Sequence, residues 1–129
     1  MYYLIYRSFA TQSFADDELQ TLLAKSKRNN QQREITGFLY YFSQSFIQLI
    51  EGDEITVKAL YQRILSDSRH RDRIILKEGY IATRFYPDWT MGYRFLSPEE
   101  VKQAALYPTK DGVINKNALL RLFNIANAK

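Results

Sequence analysis

The sequence predicts an α+β fold in which helices cover one face of a mixed five-stranded sheet and two short helices follow the last strand. This prediction rests on the order of the local patterns. Short runs rich in aromatic and β-branched residues alternate with stretches of helical periodicity, in the order β-α-β-β-α-β-β. That order corresponds to the split-βαβ, or ferredoxin-like, arrangement with one additional strand. The length of 129 residues suits one domain, and no internal repeat or low-complexity tract divides the chain.

The first half of the chain contains one helix and three of the strands. Aromatic and aliphatic residues alternate along residues 2–6, which predicts the first strand. Residues 16–30 are predicted to be helical because their apolar side chains recur every three or four positions. Residues 36–42 and 46–50 are predicted to form a hairpin, and residues 43–45 have the right length for its loop.

The second half supplies another long helix, two strands and the C-terminal helices. An apolar stripe over residues 57–65 predicts the second helix. Residues 73–86 and 91–95 are interpreted as a second hairpin, whose connection contains a Pro-Asp pair. Residues 97–100 combine a capping-box spacing with proline at the first helical position, so a short helix is expected to follow. The last helix is predicted over residues 115–128.

The predicted elements divide the chain into an α+β domain over residues 1–96 and a helical extension over residues 97–129. The last helix of the extension is apolar around much of its circumference. A helix with so wide an apolar surface needs to bury it. We therefore expect the extension to pack on the second face of the sheet or against a partner.

Composition excludes several classes of function. The chain has no cysteine, which excludes disulfides, thiolate metal sites and cysteine catalysis, and one histidine, His70, cannot build a multi-histidine metal site. No dinucleotide-binding glycine motif, phosphate-binding loop or paired-carboxylate signature is present. No apolar run suits a membrane span and the amino terminus lacks a signal peptide's basic start, so the cytoplasm is expected. The net charge of +4 permits contact with an anion, and a dinucleotide could place its phosphates beside Lys27 or Arg28.

Three polar residues lie where the pattern predicts apolar surroundings. Gln48 lies among aliphatic and aromatic residues, Asn30 ends the apolar stripe of the first helix, and Tyr6 lies in the first strand. Burying an unpaired amide costs ~1–3 kcal/mol, so a buried amide needs partners. Each residue also has an ordinary interpretation: Gln48 on a solvated face, Asn30 at a helix end and Tyr6 as a ring in the core. If the three converge, their donors and acceptors match a planar ring edge that alternates N–H and C=O groups. Arg63, on the flank of the second helix, either reaches a carbonyl or phosphate edge of such a ligand or faces solvent.

The same residues occur in segments that resemble one known family. Each segment alone is a weak signal, whereas their order and spacing together are specific. They are Leu4-Ile5-Tyr6-Arg7-Ser8, Arg28-Asn29-Asn30, Ile35-Thr36-Gly37-Phe38-Leu39-Tyr40-Tyr41, Phe46-Ile47-Gln48-Leu49-Ile50-Glu51-Gly52, Asp67-Ser68-Arg69-His70-Arg71 and Phe85-Tyr86-Pro87-Asp88-Trp89-Thr90-Met91. From Tyr3 to about Phe95 the chain resembles the BLUF domains, which are blue-light sensors that bind FAD in a ferredoxin-like fold.

The resemblance implies where FAD binds. It places the flavin ring between the two long helices, with Asn30 and Gln48 hydrogen-bonded to the polar edge of the ring. The positions that match the family's cofactor-binding residues are Tyr6, Leu22, Ser26, Asn29, Asn30, Phe46, Gln48, Ile50, Arg63, Asp67, His70 and Met91.

The resemblance also implies a photochemical mechanism. Tyr6 matches the tyrosine that gives an electron and a proton to the excited flavin. Gln48 matches the glutamine that then rotates or changes tautomer, two alternatives that stay open here. The hydrogen bonds at the flavin rearrange, and its absorption shifts to longer wavelength. The signal is expected to leave through Trp89 and Met91, and the sequence leaves open which of these two lies beside Gln48.

A sensor of this kind is expected to have no enzymatic activity of its own. Its expected partners are a downstream regulatory protein and further copies of the same chain, with no direct binding of nucleic acid and no membrane. One position departs from the family pattern, because Glu34 stands before Ile35-Thr36-Gly37 where the family often has glycine. A left-handed turn at Glu34 would cost ~1 kcal/mol or more, so the loop over residues 31–34 is expected to differ.

Two other functions are compatible with the same fold. A ferredoxin-like sheet could bind RNA or protein without a chromophore, although the segment around Thr36-Gly37 lacks the pattern of an RNA-binding sheet. A small flavin enzyme is the other alternative, but no substrate site or nicotinamide partner is evident from the sequence. A bound chromophore would distinguish the sensor from the RNA- or protein-binding module, and turnover in the dark would favour the flavin enzyme.

Overall fold

The computed structural model describes residues 1–10, 16–42, 44–66, 70–106 and 115–125, and within them it confirms the α+β fold. The elements in chain order are β1 (Tyr2–Ala10), α1 (Asp16–Gln32), β2 (Thr36–Phe42), β3 (Ser45–Gly52), α2 (Glu54–Leu65), β4 (His70–Tyr80), β5 (Gly92–Phe95), α3 (Pro98–Gln103) and α4 (Lys116–Leu122). The strands form one mixed sheet in the order β4-β1-β3-β2-β5. Only β2 and β5 pair in parallel among these described strands.

The two central strands position the residues that the sequence singled out. β1 and β3 are antiparallel, and their register places Tyr6 directly opposite Gln48. Side chains alternate between the two faces of a sheet. On one face, Leu4 and Tyr6 pack in a buried cluster with Val57 and Tyr61 of α2. The intervening residues of β1 therefore face the opposite side.

The C-terminal helices cover that opposite side of the sheet. One buried cluster joins the sheet to this part of the chain and contains Tyr3, Ile5, Tyr40, Ile47, Leu49, Val101, Leu106, Leu119, Phe123 and Ile125. Two hydroxyls bind the end of α4: Tyr40 Oη donates to the Leu122 carbonyl at 3.0 Å, and Tyr86 Oη donates to the Phe123 carbonyl. These bonds satisfy carbonyls that a helix C-terminus leaves unpaired. The domain boundary after residue 96 stays a prediction.

The predicted second hairpin is wrong. β4 and β5 lie at opposite edges of the sheet, and β5 pairs with β2. β4 also ends at Tyr80, well before the predicted residue 86. The physical reason is the carboxylate of Glu51, which accepts hydrogen bonds from the backbone N–H groups of Phe85 and Tyr86 at 2.7 and 2.8 Å. These N–H groups cannot join a strand ladder, and the chain crosses from one edge of the sheet to the other.

The C-terminal helices begin at the predicted positions, but the last one is shorter than predicted. α3 begins after Ser97, whose side chain and backbone form the predicted capping box with Glu100. α4 ends at Leu122 because Asn124 adopts a left-handed conformation, with φ of 56°. The Ile125 N–H then bonds back to the helix, which is the usual way for a left-handed residue to end it.

Glu34 ends α1 in the conformation that glycine favours. Its φ is 55°. The Ile35 N–H donates to the Asn30 carbonyl at 2.9 Å, and the Glu34 N–H donates to the Gln31 carbonyl at 3.3 Å. This pair of bonds defines a Schellman motif, whose left-handed position is usually glycine. Glu34 thus takes the strained turn rather than avoiding it.

Replacing Glu34 with glycine is expected to raise the free energy of unfolding by about 0.5–1 kcal/mol. Relief of ~1–2 kcal/mol of left-handed strain should exceed the extra backbone entropy that glycine loses on folding. Glu34→Ala is the matched control, because alanine removes the side chain but keeps the Cβ atom. Urea denaturation under identical solution conditions measures both variants. Equal stability of the two variants would contradict strain at this position.

Candidate functional site

A chain of hydrogen bonds runs from β1 through β3 to the residue before β5. Tyr6 and Gln48 are both buried, with exposed fractions of 2% and 9%. Because they are direct partners across the β1–β3 ladder, the Tyr6 hydroxyl reaches the side chain of Gln48 and donates a hydrogen bond to its Oε1 atom. The other end of the amide, Nε2, donates to Met91 Sδ at 3.2 Å. The Gln48 amide is therefore fixed at both ends.

Tyr6, Gln48 and Met91 lie on the wall of a cavity between α1, α2 and the sheet. The cavity has a volume of about 230 Å³. Its wall combines apolar side chains, amides, hydroxyls and cations, and it consists of Tyr6, Leu22, Leu23, Lys25, Ser26, Asn29, Asn30, Arg33, Leu39, Phe46, Gln48, Leu60, Arg63, Ile64 and Met91.

Most of the predicted cofactor-binding positions lie on this wall. Those that the structure brings together are Tyr6, Leu22, Ser26, Asn29, Asn30, Phe46, Gln48, Arg63 and Met91. Ile50 does not lie on this wall: it is fully buried in the cluster of Ile35 and Val57, where α2 packs over the end of β3, and its role at the cofactor stays a prediction. Asp67 and the side chain of His70 lie outside the described residues.

Several wall residues were not predicted from the sequence: Leu23, Lys25, Arg33, Leu39, Leu60 and Ile64. Periodicity contained a signal for one of them, because Arg33, the residue directly after α1, comes seven positions, or about two helical turns, after Ser26. Leu39 lies directly opposite Gln48 in the β2–β3 ladder. Leu39 could be placed opposite Gln48 only with the correct length of the loop between β2 and β3. β3 begins one residue earlier than predicted, which shifts the register of the two strands.

Cations give the cavity a positive electrostatic character. Lys25, Arg33 and Arg63 lie on the wall, whereas no aspartate or glutamate from the described part of the chain does. Lys27 and Arg28, which the sequence suggested for phosphate contacts, are exposed and lie off the wall. Lys27 Nζ lies 5.7 Å from the centre of the Tyr93 ring instead. A cavity with this charge favours an anionic ligand.

Asn30 joins α1 to the segment before β5. The residue is 3% exposed, and Nδ2 donates a hydrogen bond to the Thr90 carbonyl at 2.7 Å. A buried amide with a bonded end is consistent with the expectation that Asn30 has partners inside the fold. The bond holds Thr90 next to the cavity.

The structure decides which residue lies beside Gln48. Met91 is buried and accepts the hydrogen bond from the Gln48 amide. Trp89 is 52% exposed, and its ring packs edge-to-face on Phe38 with 6.1 Å between the ring centres. Met91 is therefore the neighbour of Gln48, and Trp89 faces outward.

Tyr61 supplies an uncharged neighbour to Tyr6. The two ring centres are 5.4 Å apart, with the ring planes at 59°. Burial raises the pKa of Tyr61 above its ordinary value near 10, against a smaller opposing effect of the positive charge on Arg73. The Tyr61 phenol therefore stays protonated at neutral pH.

The wall fits the chemistry of a flavin. The amides of Asn29, Asn30 and Gln48 carry both donors and acceptors, which suit a ring edge with alternating N–H and C=O groups. Leu22 and Phe46 supply apolar surface for the faces of the ring. The cations of the wall suit the phosphates of a flavin nucleotide.

The described part of the chain offers no sign of two other kinds of site. Within residues 1–10, 16–42, 44–66, 70–106 and 115–125, no group of three or more His, Cys, Asp or Glu residues could hold a metal ion. None of the helices in these ranges has both the length and the apolar character that crossing a membrane requires.

Comparison with known proteins identifies the family. The family model described as "BLUF: Sensors of blue-light using FAD" matches residues 1–92. Photoactivated adenylate cyclase subunit beta of Euglena longa is 35% identical over 89 residues, which are 68% of this chain and 10% of that protein. The blue light- and temperature-regulated antirepressor BluF of Escherichia coli (strain K12) is 33% identical over 81 residues, or 63% of this chain and 20% of that protein. The chain thus spans about a tenth to a fifth of the length of these relatives.

Solved structures agree with this match. A bacterial light-regulated adenylyl cyclase is similar with a TM-score of 0.71 and 30% identity, over 98% of this chain and 34% of that chain. BlrB, a BLUF protein solved in its dark state, gives a TM-score of 0.80 over 96% of this chain and 92% of that chain; its 24% identity shows the fold alone. The family match includes the strands that carry Tyr6 and Gln48 and ends next to Met91. The chain therefore belongs to the BLUF family of blue-light sensors that use FAD, as the sequence resemblance implied.

Proposed function

We propose that this BLUF domain senses blue light through Tyr6 and Gln48, and that the signal leaves through the segment that carries Trp89 and Met91. The observation that carries the proposal is the hydrogen-bond chain from Tyr6 to Gln48 to Met91 on the cavity wall. It connects a phenol, an amide and the strand segment next to β5 without another side chain between them.

The Gln48 amide can act as a two-position switch. FAD, when bound, supplies the absorption of blue light and an excited-state acceptor for an electron. Tyr6 holds a proton at Oη in its bond to Gln48 Oε1, and Nε2 of the same amide donates to Met91. Rotation of the amide by half a turn would exchange its donor and acceptor ends, and a change of tautomer would also alter them. Either change alters the hydrogen bonds that Gln48 offers to the cavity.

The proposal assigns roles to the residues that would hold FAD. Asn30 and Gln48 would bind the polar edge of the flavin ring, with Ser26 and Asn29 beside them. Ile50, Asp67 and His70 are proposed as FAD-binding residues from the resemblance alone. The remaining proposed residues are on the described wall and are Tyr6, Leu22, Phe46, Arg63 and Met91.

Neutralising Lys25 and Arg33 is expected to weaken the binding of FAD and FMN by about tenfold, since both cations lie on a wall without described carboxylates. Riboflavin has no phosphate, so its affinity should stay within about twofold of the wild-type value. Fluorescence titration of Lys25→Gln/Arg33→Gln with the three flavins, at low and high salt, measures this difference, and salt should reduce it.

Lys27→Gln/Arg28→Gln is the matched control for this test. It removes the same charge from the same helix, but both residues lie off the cavity wall. We expect its affinities for all three flavins to equal those of the wild type. An equal loss of riboflavin binding, or an equal loss of FAD binding in the control, would show that Lys25 and Arg33 do not contact the phosphates.

Partners and location belong to the proposal as well. The relatives described above are named as a photoactivated adenylate cyclase subunit and as an antirepressor. We propose that this domain likewise acts on a downstream regulatory protein, as a homo-oligomer in the cytoplasm. The bond from Tyr86 to the end of α4 supports a route from the segment before β5 to the C-terminal helices.

The chromophore of the purified protein tests the proposed function. We expect a yellow protein that releases FAD on denaturation, with the flavin identified by chromatography. A colourless protein that does not take up added FAD would overturn the proposal. Binding of RNA by such a colourless preparation would instead favour the module without a chromophore.

A further inference from the structure

A buried carboxylate lies on the face of the sheet opposite the flavin cavity. Glu51 has no exposed surface, and it lies three residues after Gln48 in β3, so the two side chains point to opposite faces. Its oxygens accept hydrogen bonds from Thr36 Oγ1 at 2.7 Å and from the N–H groups of Phe85 and Tyr86 at 2.7 and 2.8 Å. Burying a carboxylate is costly unless its oxygens are bonded, and here three donors bond them.

Arg84 adds a second set of bonds to the same place. Its Nη1 atom donates to Thr36 Oγ1 at 2.9 Å and to the backbone carbonyl of Glu51 at 3.2 Å. Its Nη2 atom donates to the Glu34 carbonyl at 2.6 Å. The guanidinium therefore ties residue 84 to the turn after α1 and to the end of β3.

The other end of this segment is held by Gly37 of β2 and by Gln48 of β3. The Gly37 N–H donates to the Trp89 carbonyl at 2.9 Å, and the Gln48 amide donates to Met91. Residues 84–86 and 89–91 are thus both fixed, and each is fixed in part by β3.

The connection between the two fixed ends is short and stiff. Only Pro87 and Asp88 separate Tyr86 from Trp89. The proline ring fixes one backbone dihedral angle, and the Trp89 N–H closes a turn onto the Tyr86 carbonyl at 3.2 Å. The position of Tyr86 therefore contributes to where Met91 lies, together with the bonds that Gly37 and Asn30 make to the carbonyls of Trp89 and Thr90.

We propose that Glu51 is a positioning residue of the photochemical switch, which fixes Phe85 and Tyr86 and thereby holds Met91 against Gln48. The proposal rests on the function proposed above for Tyr6 and Gln48. Without the bonds from Phe85 and Tyr86 to Glu51, Met91 moves away from Gln48. The Gln48 amide is then packed less tightly and reorients more easily. The red shift persists, because Tyr6 and Gln48 are intact, but the return to the dark state is faster.

Glu51→Gln tests this role in the full chain loaded with FAD. Glutamine has nearly the same volume but one acceptor oxygen, so one of the two backbone N–H groups loses its partner. We expect a red shift of wild-type size and thermal recovery at least about fivefold faster. Thr36→Val removes one of the three donors to Glu51, and we expect a smaller acceleration. If Glu51→Gln does not retain FAD, the recovery rate of Thr36→Val provides the test of the positioning role instead.

Tyr40→Phe is the control for a general loss of stability. It removes a hydrogen bond to α4 on the same face of the sheet and leaves the bonds of Glu51 unchanged. We expect its recovery rate to stay within about twofold of the wild-type rate, since the bonds from Phe85 and Tyr86 to Glu51 and the contact of Met91 with Gln48 are all retained. An acceleration in Tyr40→Phe that equals that of Glu51→Gln would overturn the positioning role.

A double variant tests whether Glu51 acts through Met91. In the Met91→Leu background, Glu51→Gln is expected to change the recovery rate by less than about twofold, because the contact that it controls is already altered. The same acceleration in both backgrounds, or wild-type recovery in Glu51→Gln, would overturn the inference. A wild-type protein that binds FAD but shows no red shift would overturn the proposed function itself, and the two failures are thereby distinguished.

Discussion

Tyr6→Phe is expected to keep FAD and to lose the light-induced red shift completely. Phenylalanine preserves the ring that packs against Tyr61, but it lacks the hydroxyl that donates to Gln48. Without that hydroxyl the side chain has no proton to transfer and no hydrogen bond to the amide. The light-minus-dark absorption spectrum of the FAD-loaded variant measures the loss. Folding should weaken by about 1–3 kcal/mol, because the buried Oε1 atom of Gln48 loses this donor.

Tyr61→Phe is the matched control for this variant. Tyr61 is buried beside Tyr6 and carries the same phenol, yet it does not line the described cavity. We expect its red shift to equal that of the wild type. A normal shift in Tyr6→Phe would refute the donor role of Tyr6, and an equal loss in both variants would show that the effect is not specific to Tyr6.

Gln48→Leu is expected to have the other large effect. Leucine fills a similar space, but it can neither accept the bond from Tyr6 nor donate to Met91. The variant should bind FAD and show no red shift, with a loss of stability of about 1–3 kcal/mol because a buried hydroxyl loses this acceptor. Absorption spectroscopy and urea denaturation measure the two effects.

Met91→Leu separates the amide from its second partner. It preserves the apolar volume and the Tyr6–Gln48 bond, while it removes the sulfur that accepts from Gln48. We expect a red shift of wild-type size with a changed recovery rate. The usual spectrum in Gln48→Leu, or a complete loss of the shift in Met91→Leu, would contradict the central role of the Gln48 amide.

The sequence was most informative where a polar residue interrupts an apolar pattern. Tyr6, Asn30 and Gln48 were singled out for this reason, and the structure places all three on one cavity wall. The pattern is local, because each residue shares a face with the apolar residues of its own element. The resemblance to a family added Ser26, Asn29 and other wall residues that periodicity alone did not identify.

The errors arose where long-range contacts decide the structure. The false hairpin after α2 reflects the bonds from Phe85 and Tyr86 to Glu51, a residue far away in the sequence. The wall cations Lys25 and Arg33 depend on where α1 lies over the sheet, which no local pattern contains. Ile50 is matched to the cofactor site by the family resemblance; α2 covers that end of the strand in the structure, and the role of Ile50 stays a prediction.

The light-minus-dark absorption spectrum of the FAD-loaded wild-type protein tests the central claim most directly. Blue illumination should shift the flavin bands to longer wavelength without loss of absorbance, and the original spectrum should return in the dark. Such a change reports altered hydrogen bonds around an oxidised flavin, as expected from the reorientation of Gln48. An unchanged spectrum, or bleaching of the flavin bands without a shift, would contradict the account.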